Sequence, residues 1–183
     1  MINNINTNPS TLWANVNRQT NSRPQATNFD PMQGINAPIV LKGDALYSAA
    51  TRLPGGGMMN AHVFKADSFT AENPVMLVKG TDVDGSFFEV EVNINDIDKN
   101  SLSFIEMFAL DGYFRANGQT CGLSRAASTA MWQSQIEANA FTKLDVLPSL
   151  REHLETQRSH GNWEAFRLLD EIIDGFMNHF ARR

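Results

Sequence analysis

Cysteine is almost absent from this chain of 183 residues, and so are the long apolar runs that anchor a protein in a membrane. The one cysteine, Cys121, excludes an intrachain disulfide. That favours a reducing compartment and equally allows an exported protein without disulfides. No run approaches the ~18 apolar residues that span a bilayer, and no basic region followed by an apolar stretch opens the chain, as a cleaved secretory signal requires. We therefore expect a soluble protein that is cytoplasmic or is exported without a cleaved signal peptide.

Positive charge is also scarce where nucleic-acid binding would need it. The net charge is −5, and residues 74–98 account for the whole excess because they hold one base, Lys79, and six acids: Asp82, Asp84, Glu89, Glu91, Asp96 and Asp98. A phosphate backbone would be repelled from this segment. No basic stripe with interleaved aromatic residues occurs elsewhere. The sequence thus predicts no nucleic-acid partner.

The motifs of common enzyme classes are missing as well. The chain has no Gly-x-Ser-x-Gly for a serine hydrolase, no His-Glu-x-x-His for a zinc enzyme, and no phosphate-loop lysine after the glycines at 55–57. Cys121 precedes a predicted helix, whose N-terminal dipole could lower the thiol pKa, although a buried apolar filler is the commoner role of cysteine. We predict no catalytic residue and no cofactor. The alternative is an enzyme that uses Cys121 or the acidic hairpin cluster.

One acidic segment has part of the pattern of a calcium loop. Counted from Gly80, the residues at positions 3, 5, 6 and 12 of the EF-hand pattern are Asp82, Asp84, Gly85 and Glu91. Position 1, normally Asp, is Gly80, and the flanking residues have the pattern of strands. A tight turn with aspartates that bond their own backbone explains the segment without a metal. We expect no metal site, and keep Asp82, Asp84 and Glu91 as candidate ligands of an alternative, calcium-responsive binding module.

The clearest pattern in the first half predicts a β-hairpin. Residues 75–78 form a short apolar run, and residues 88–94 alternate apolar and polar side chains, which is typical of a half-buried strand. Asp84-Gly85 favours a two-residue turn between them. That turn would place four side chains on one face: Val75, Leu77, Val92 and Ile94. Residues 38–42 and 61–65 predict two further short strands, and residues 45–53 have helical spacing.

The second half predicts helices. Ser103 and Glu106 form a capping box at the start of a helix that Asn117-Gly118 would end. Residues 123–141 and 147–160 predict two more helices, the second with Pro148 in its first turn. The last helix carries an apolar stripe at spacings of three and four: Phe166, Leu169, Ile173, Phe176 and Phe180. We expect the stripe to pack on the core or to bind a partner, the core being the more common place for an amphipathic face.

Residues 1–35 differ in composition from the rest. They contain eight asparagines and too few apolar residues to offset the chain entropy that folding costs. We predict a flexible Asn-rich segment over residues 1–35, which is also a candidate export address. Residues 36–183 are predicted to form a single α+β domain. In it, a small antiparallel sheet from the N-terminal half packs against three to four C-terminal helices.

Four segments resemble those of a group of small bacterial proteins, found mainly in Firmicutes, that have no assigned function. The segments are residues 73–85 (NPVMLVKGTDVDG), 104–107 (FIEM), 143–145 (KLD) and 161–163 (GNW). The likeness covers roughly residues 60–175. It implies a bacterial origin and a one-domain protein, and it transfers no active site.

These observations favour a non-enzymatic role. We predict an interaction or structural module of a bacterial protein, associated with the cell surface or an export apparatus. A protein partner or self-association would use the stripe of the last helix. The enzyme and the calcium-responsive module remain the alternatives.

Overall fold

A computed structural model describes residues 44–55 and 57–181, which belong to one compact unit, residues 39–183. Four strands come first: β1 (Tyr47–Arg52), β2 (Met58–Lys65), β3 (Val75–Thr81) and β4 (Phe87–Asn93). A 3-10 turn (Ile94–Asp96) leads to four helices: α1 (Phe104–Ala116), α2 (Leu123–Ser134), α3 (Leu147–Ser159) and α4 (Trp163–Ala181). The predicted α+β class is confirmed. The segment 1–35 and the strand predicted at residues 38–42 lie outside the described residues.

The sheet is an up-and-down meander in the order β1-β2-β3-β4, with every neighbouring pair antiparallel. Each strand therefore pairs with the one before it in sequence, and β1 and β4 form the two edges of the sheet among the described residues. The helices cover one face. This arrangement places the first described strand at one edge and the acidic strand β4 at the other.

The β3–β4 hairpin is confirmed, but the predicted two-residue turn is wrong. Thr81 pairs with Phe87, and the N–H of Asp82 donates to the carbonyl of Ser86 over 2.8 Å. Three residues remain in the loop, and the last of them, Gly85, has a φ of +84°. A three-residue loop that ends in a left-handed residue is a common hairpin connection. Compared with the predicted two-residue turn, this loop shifts the pairing of β3 with β4 by one residue.

This shift changes which side chains of β3 face the core. Met76 pairs with Val92, and both are buried. Val78 lies on the same face and is also buried. Val75 and Leu77, which were predicted to share the face of Val92, lie on the opposite side, because side chains alternate along a strand. Val92 itself is on the buried face as predicted.

The helix predicted over residues 45–53 is also wrong, because this segment forms β1. Its pairs with β2 include Ser48 with His62 and Ala50 with Asn60. Alanine has the highest helix propensity, which makes residues 45–53 look helical in isolation. Pairing with β2 overrides that preference, and Ala49 packs against the core below the helices.

Helix α1 lies across the sheet and supplies much of the core. Its capping box is confirmed: the Ser103 hydroxyl accepts from Glu106 N–H over 3.3 Å, and Glu106 Oε2 accepts from Ser103 N–H over 2.7 Å. The helix ends as predicted, with Asn117 as the cap and Gly118 at φ +68°. The side chains buried along it are Phe104, Ile105, Met107, Phe108, Leu110, Asp111 and Phe114.

Helix α2 is shorter than the predicted segment 123–141. It ends at Ser134 because Gln135 is left-handed, with a φ of 53°. Residues 135–146 then form a loop that is fixed to the first half of the domain. The Ala140 N–H donates to Asp82 Oδ1 over 2.9 Å, and Leu102 and Leu144 exchange two backbone hydrogen bonds of 2.9 Å.

Helices α3 and α4 complete the helical layer. Pro148 lies in the first turn of α3, as predicted. On α4, the stripe residues Leu169, Ile173 and Phe176 are buried, while Phe166 and Phe180 are half-buried. The centre of the stripe therefore packs inside the domain, and its two ends are partly accessible.

Candidate functional site

A groove of about 620 Å³ runs along the outer edge of β1. One wall is residues 47–52 of β1, and the other consists of side chains from α2: Ser124, Arg125, Ser128, Thr129 and Trp132. We call it the β1–α2 groove. It combines a strand edge with a helix face, which is the setting in which a protein can receive an extended peptide as an additional strand.

Hydrogen bonds fix the two walls of the groove to each other. The Thr51 hydroxyl donates to the Ser128 hydroxyl over 2.6 Å, and Ser128 donates to the Arg52 carbonyl over 3.2 Å. The same carbonyl accepts from the Trp132 indole over 2.7 Å. Trp132 nevertheless keeps 39% of its surface exposed, so its ring remains available to a ligand in a groove that is already formed.

The N-terminus of α2 is held by a side chain from another helix. Gly122 precedes α2 and has no side chain to cap it. The Asp111 carboxylate of α1 takes that role: Oδ1 accepts from the N–H groups of Gly122 and Leu123 over 2.6 and 2.8 Å. Oδ2 accepts from the N–H and hydroxyl of Ser124 over 3.0 and 2.6 Å. Burial raises the pKa of Asp111, and these four hydrogen bonds oppose that shift.

Tyr47 connects this buried carboxylate to the groove. Its hydroxyl lies 3.4 Å from the hydroxyl of Ser124, which in turn donates to Asp111. Burial, followed by the negative charge of Asp111, raises the pKa of Tyr47 to about 12. Tyr47 therefore keeps its proton at neutral pH and acts as a polar wall of the groove.

The charge of the groove differs from that of the whole chain. Two exposed arginines, Arg52 and Arg125, line it. None of its lining residues within the described part of the chain is Asp or Glu, although the net charge of the protein is −5. An arginine offers paired N–H donors in the geometry of a carboxylate. The groove is thus a cationic site on an acidic protein.

A second pocket, of about 430 Å³, adjoins the first and shares Tyr47, Arg125 and Thr129 with it. It lies between α2, α3 and α4, and its other lining residues include Cys121, His153, Leu168 and Ile172. Leu168 is 53% exposed. This pocket extends the β1–α2 groove with a more apolar surface.

The two reactive side chains of this pocket lack the features of a nucleophile and its base. Burial, followed by the charge of Asp111, raises the pKa of Cys121, and Arg115 opposes the shift. The direction is opposite to the lowering that the helix dipole suggested. Burial lowers the pKa of His153, whose Nδ1 lies 2.9 Å from Gln133 Oε1. The described residues include no hydrogen bond between Cys121 and His153, so the arrangement does not favour a thiolate.

The three candidate calcium ligands are not gathered into a site. Asp82 is buried, and its Oδ1 accepts from Val83 and Ala140 N–H groups. Asp84 is exposed, and its Oδ1 accepts from the N–H and hydroxyl of Ser86 over 2.8 and 2.6 Å. Glu91 lies away from both in the middle of β4. Within residues 44–55 and 57–181, no three His, Cys, Asp or Glu side chains are grouped so that they could hold a metal.

Sequence reasoning missed the groove because it missed one of its walls. Residues 45–53 were predicted as a helix, so no strand edge was expected beside α2. A signal was present in α2 itself, where a tryptophan follows an alanine-rich stretch whose apolar face needs no such bulk. Trp132 was the residue that this signal could have identified.

Comparisons with known proteins add no assignment to this geometry. No family model matches the chain, and no significant match was found among curated proteins or solved structures. The likeness to small bacterial proteins therefore stays a prediction. Among the helices that the structure describes, none has the length and apolar character needed to span a membrane.

Proposed function

We propose that this chain is a non-enzymatic interaction module of a bacterial protein, and that its β1–α2 groove binds an extended polypeptide segment that carries acidic side chains. The observation that carries the proposal is the charge of the groove. Arg52 and Arg125 line it without an acidic neighbour among its described lining residues, in a chain of net charge −5. An acidic ligand gains attraction there and would be repelled by the acidic segment 74–98.

The backbone of β1 supports the choice of an extended ligand. Among the described residues β1 pairs only with β2, and strand addition at its other edge would supply affinity through main-chain hydrogen bonds. Side chains would then supply specificity. The arginines would bind carboxylates, and the exposed ring of Trp132 would cover an apolar side chain, as tryptophan often does at the centre of an interface.

The cellular setting is inferred from the sequence. The likeness of residues 73–85 and 104–107 to small bacterial proteins supports a bacterial origin. The Asn-rich residues 1–35 support an association with the cell surface or an export apparatus. Both inferences are independent of the groove.

Selection of random short peptides displayed on phage tests the binding function. The full chain is immobilised, and enriched peptides are then synthesised and titrated in solution. We expect enriched sequences that contain Asp or Glu beside apolar residues. The double variant Arg52→Glu, Arg125→Glu should bind them at least about tenfold more weakly, because charge reversal places like charges together.

The matched control reverses two exposed arginines that do not line the groove, Arg151 and Arg167. The variant Arg151→Glu, Arg167→Glu has the same net charge as the groove variant and should bind the peptides as the wild type does. If peptide binding weakened equally in both double variants, the overall charge of the protein would explain the effect and the groove would not. Enrichment of peptides without acidic residues would also overturn the proposed ligand class.

A further inference from the structure

The second edge of the sheet carries a groove of opposite charge. Next to β4 lies a pocket of about 330 Å³. It is lined by residues 90–93 of β4, the start of α1, and four further residues: Asp96, Ile97, Phe141 and Lys143. We call it the β4 edge. Phe141 is 54% exposed and packs edge-on against Phe88, with 6.0 Å between the ring centroids.

The charges of the β4 edge complement those of the β1–α2 groove. Its lining residues include three acids, Glu91, Asp96 and Glu106, and one base, Lys143. Lys143 forms an ion pair with Glu106. No other ion pair within the described residues involves Glu91 or Asp96. One edge of the sheet therefore carries two acids, Glu91 and Asp96, and the opposite edge carries two arginines, Arg52 and Arg125.

We propose that the segment bound by the β1–α2 groove is the β4 edge of a second copy of this chain, which associates head to tail. This inference rests on the proposed function, since it requires that the groove accept an acidic strand. Arg52 and Glu91 alternate with Thr51 and Val92, which face the helices, so both lie on the other face of the sheet. Glu91 of one copy would therefore meet Arg52 of the next.

The topology permits this pairing without turning the second copy over. Strand directions alternate across β1-β2-β3-β4, so β4 runs antiparallel to the β1 of a copy in the same orientation. The helices of both copies then cover the same face of a continuous sheet. Because each copy offers two different surfaces, the contact is heterologous, and it repeats until the copies close into a ring or form an open filament.

The mass of the full chain, measured by light scattering across a concentration series, tests the proposal. We expect the wild type to exceed the mass of a dimer as concentration rises. Arg52→Glu changes only the groove, and Glu91→Lys changes only the β4 edge. Each variant alone should stay monomeric, with association weakened at least about tenfold. An equimolar mixture should associate again, because one contact pairs an intact groove with an intact β4 edge and the next contact pairs two reversed charges of opposite sign.

Two controls separate this contact from other forms of association. Arg167→Glu and Glu164→Lys reverse exposed charges on α4 outside both grooves, and they should associate as the wild type does. The double variant Arg52→Glu, Glu91→Lys exchanges charges across the contact and should regain association. Higher salt should weaken the wild-type assembly, since exposed charges are screened beyond about 10 Å at 0.1 M.

The outcomes distinguish failure of this inference from failure of the binding function. A wild type that stays monomeric at every concentration overturns the head-to-tail contact, and so do single variants that associate normally or a mixture that stays monomeric. If acidic peptides selected on phage still bind the groove of a monomeric wild type, the binding function stands with a different partner. If neither experiment detects a ligand, both proposals fail.

Discussion

Asp111 is a buried carboxylate that serves a helix other than its own. It belongs to α1, yet its oxygens accept four hydrogen bonds from the first residues of α2: Gly122, Leu123 and Ser124. The free N–H groups at the start of a helix attract negative charge, which makes a carboxylate suitable for this position. The orientation of α2, and with it one wall of the groove, depends on this side chain.

Replacement of Asp111 by Ala should lower the free energy of unfolding by at least about 3 kcal/mol, because each buried donor left without a partner costs ~1–3 kcal/mol. Chemical denaturation measures the loss. Asp174→Ala removes an exposed carboxylate from α4 and should change stability by no more than about 0.5 kcal/mol. Comparable losses in the two variants would contradict the role given to Asp111.

Tyr47 should give the protein a specific sensitivity to alkaline pH. Its pKa is about 12 in the folded state against 10.0 for a free tyrosine. Below pH 10 both states keep the proton and the stabilisation is fully present. As pH rises from 10 toward 12, the unfolded chain loses its proton first, so the free energy of unfolding falls. Denaturation at about pH 9 and about pH 11 should show a smaller fall for Tyr47→Phe than for the wild type.

The other tyrosine provides the control for this pH dependence. Tyr113→Phe leaves Tyr47 and its contacts with Ser124 and Asp111 in place. Its alkaline loss of stability should therefore match that of the wild type more closely than the loss of Tyr47→Phe does. If Tyr113→Phe reduced the alkaline loss of stability more than Tyr47→Phe did, Tyr47 would not be the group that causes this loss.

Within the part of the chain that the structure describes, two glycines occur inside helices, and their surroundings differ. Gly112 is in α1, where an added Cβ would lie 2.5 Å from Val63 Cγ1 of β2. Gly175 is in α4, where an added Cβ would meet nothing within 4 Å. The first glycine lets α1 approach the sheet closely, whereas the second has no such function. They form a matched pair for a test of helix–sheet packing.

Gly112→Ala should destabilise the protein by about 1–3 kcal/mol, since the methyl group has to displace Val63. Gly175→Ala should stabilise it by about 0.5–1 kcal/mol, because alanine has the higher helix propensity and loses less backbone entropy. Melting temperatures of the two variants, read by circular dichroism, should move in opposite directions. A shift of both in the same direction would show that α1 does not approach β2 as closely as described.

The elements that local rules govern were predictable, and those that depend on distant contacts were not. The capping box of Ser103 and Glu106 and the alternation in β4 are decided by neighbouring residues. The register of the hairpin depends on Asp82, whose carboxylate also binds Ala140 58 residues away. Strand β1 forms because pairing with β2 overrides the helix propensity of its alanines. The sequence alone therefore did not predict the groove between β1 and α2.

At the scale of the whole molecule, α4 attaches the outer helices to the core. Phe176 is fully buried, and its ring centroid lies 5.0 Å from that of Phe180. Of the five residues predicted as an interaction surface, three are buried inside the domain: Leu169, Ile173 and Phe176. The exposed apolar residues of α4 are Trp163 and Leu168, near its start.

Phe176→Ala should lower the free energy of unfolding by about 3–5 kcal/mol, because it leaves a cavity where an aromatic ring was fully buried. Trp163→Ala, at a position that is 59% exposed, should cost no more than about 0.5 kcal/mol. Chemical denaturation and light scattering of both variants measure stability and association together. A Phe176→Ala variant with unchanged stability and altered mass would place this residue at an interface instead.

The meander order of the sheet also bears on how the chain folds. Every strand pairs with its neighbour in sequence, so the sheet can form through short loop closures, which are fast. The hydrogen bonds that bring α2 to β1 join residues 76–80 positions apart, and such contacts form at a greater entropic cost. During refolding β1 should therefore exist for a time without the α2 side chains that form the other wall of the groove. Newly synthesised copies are then most prone to pair wrongly with one another.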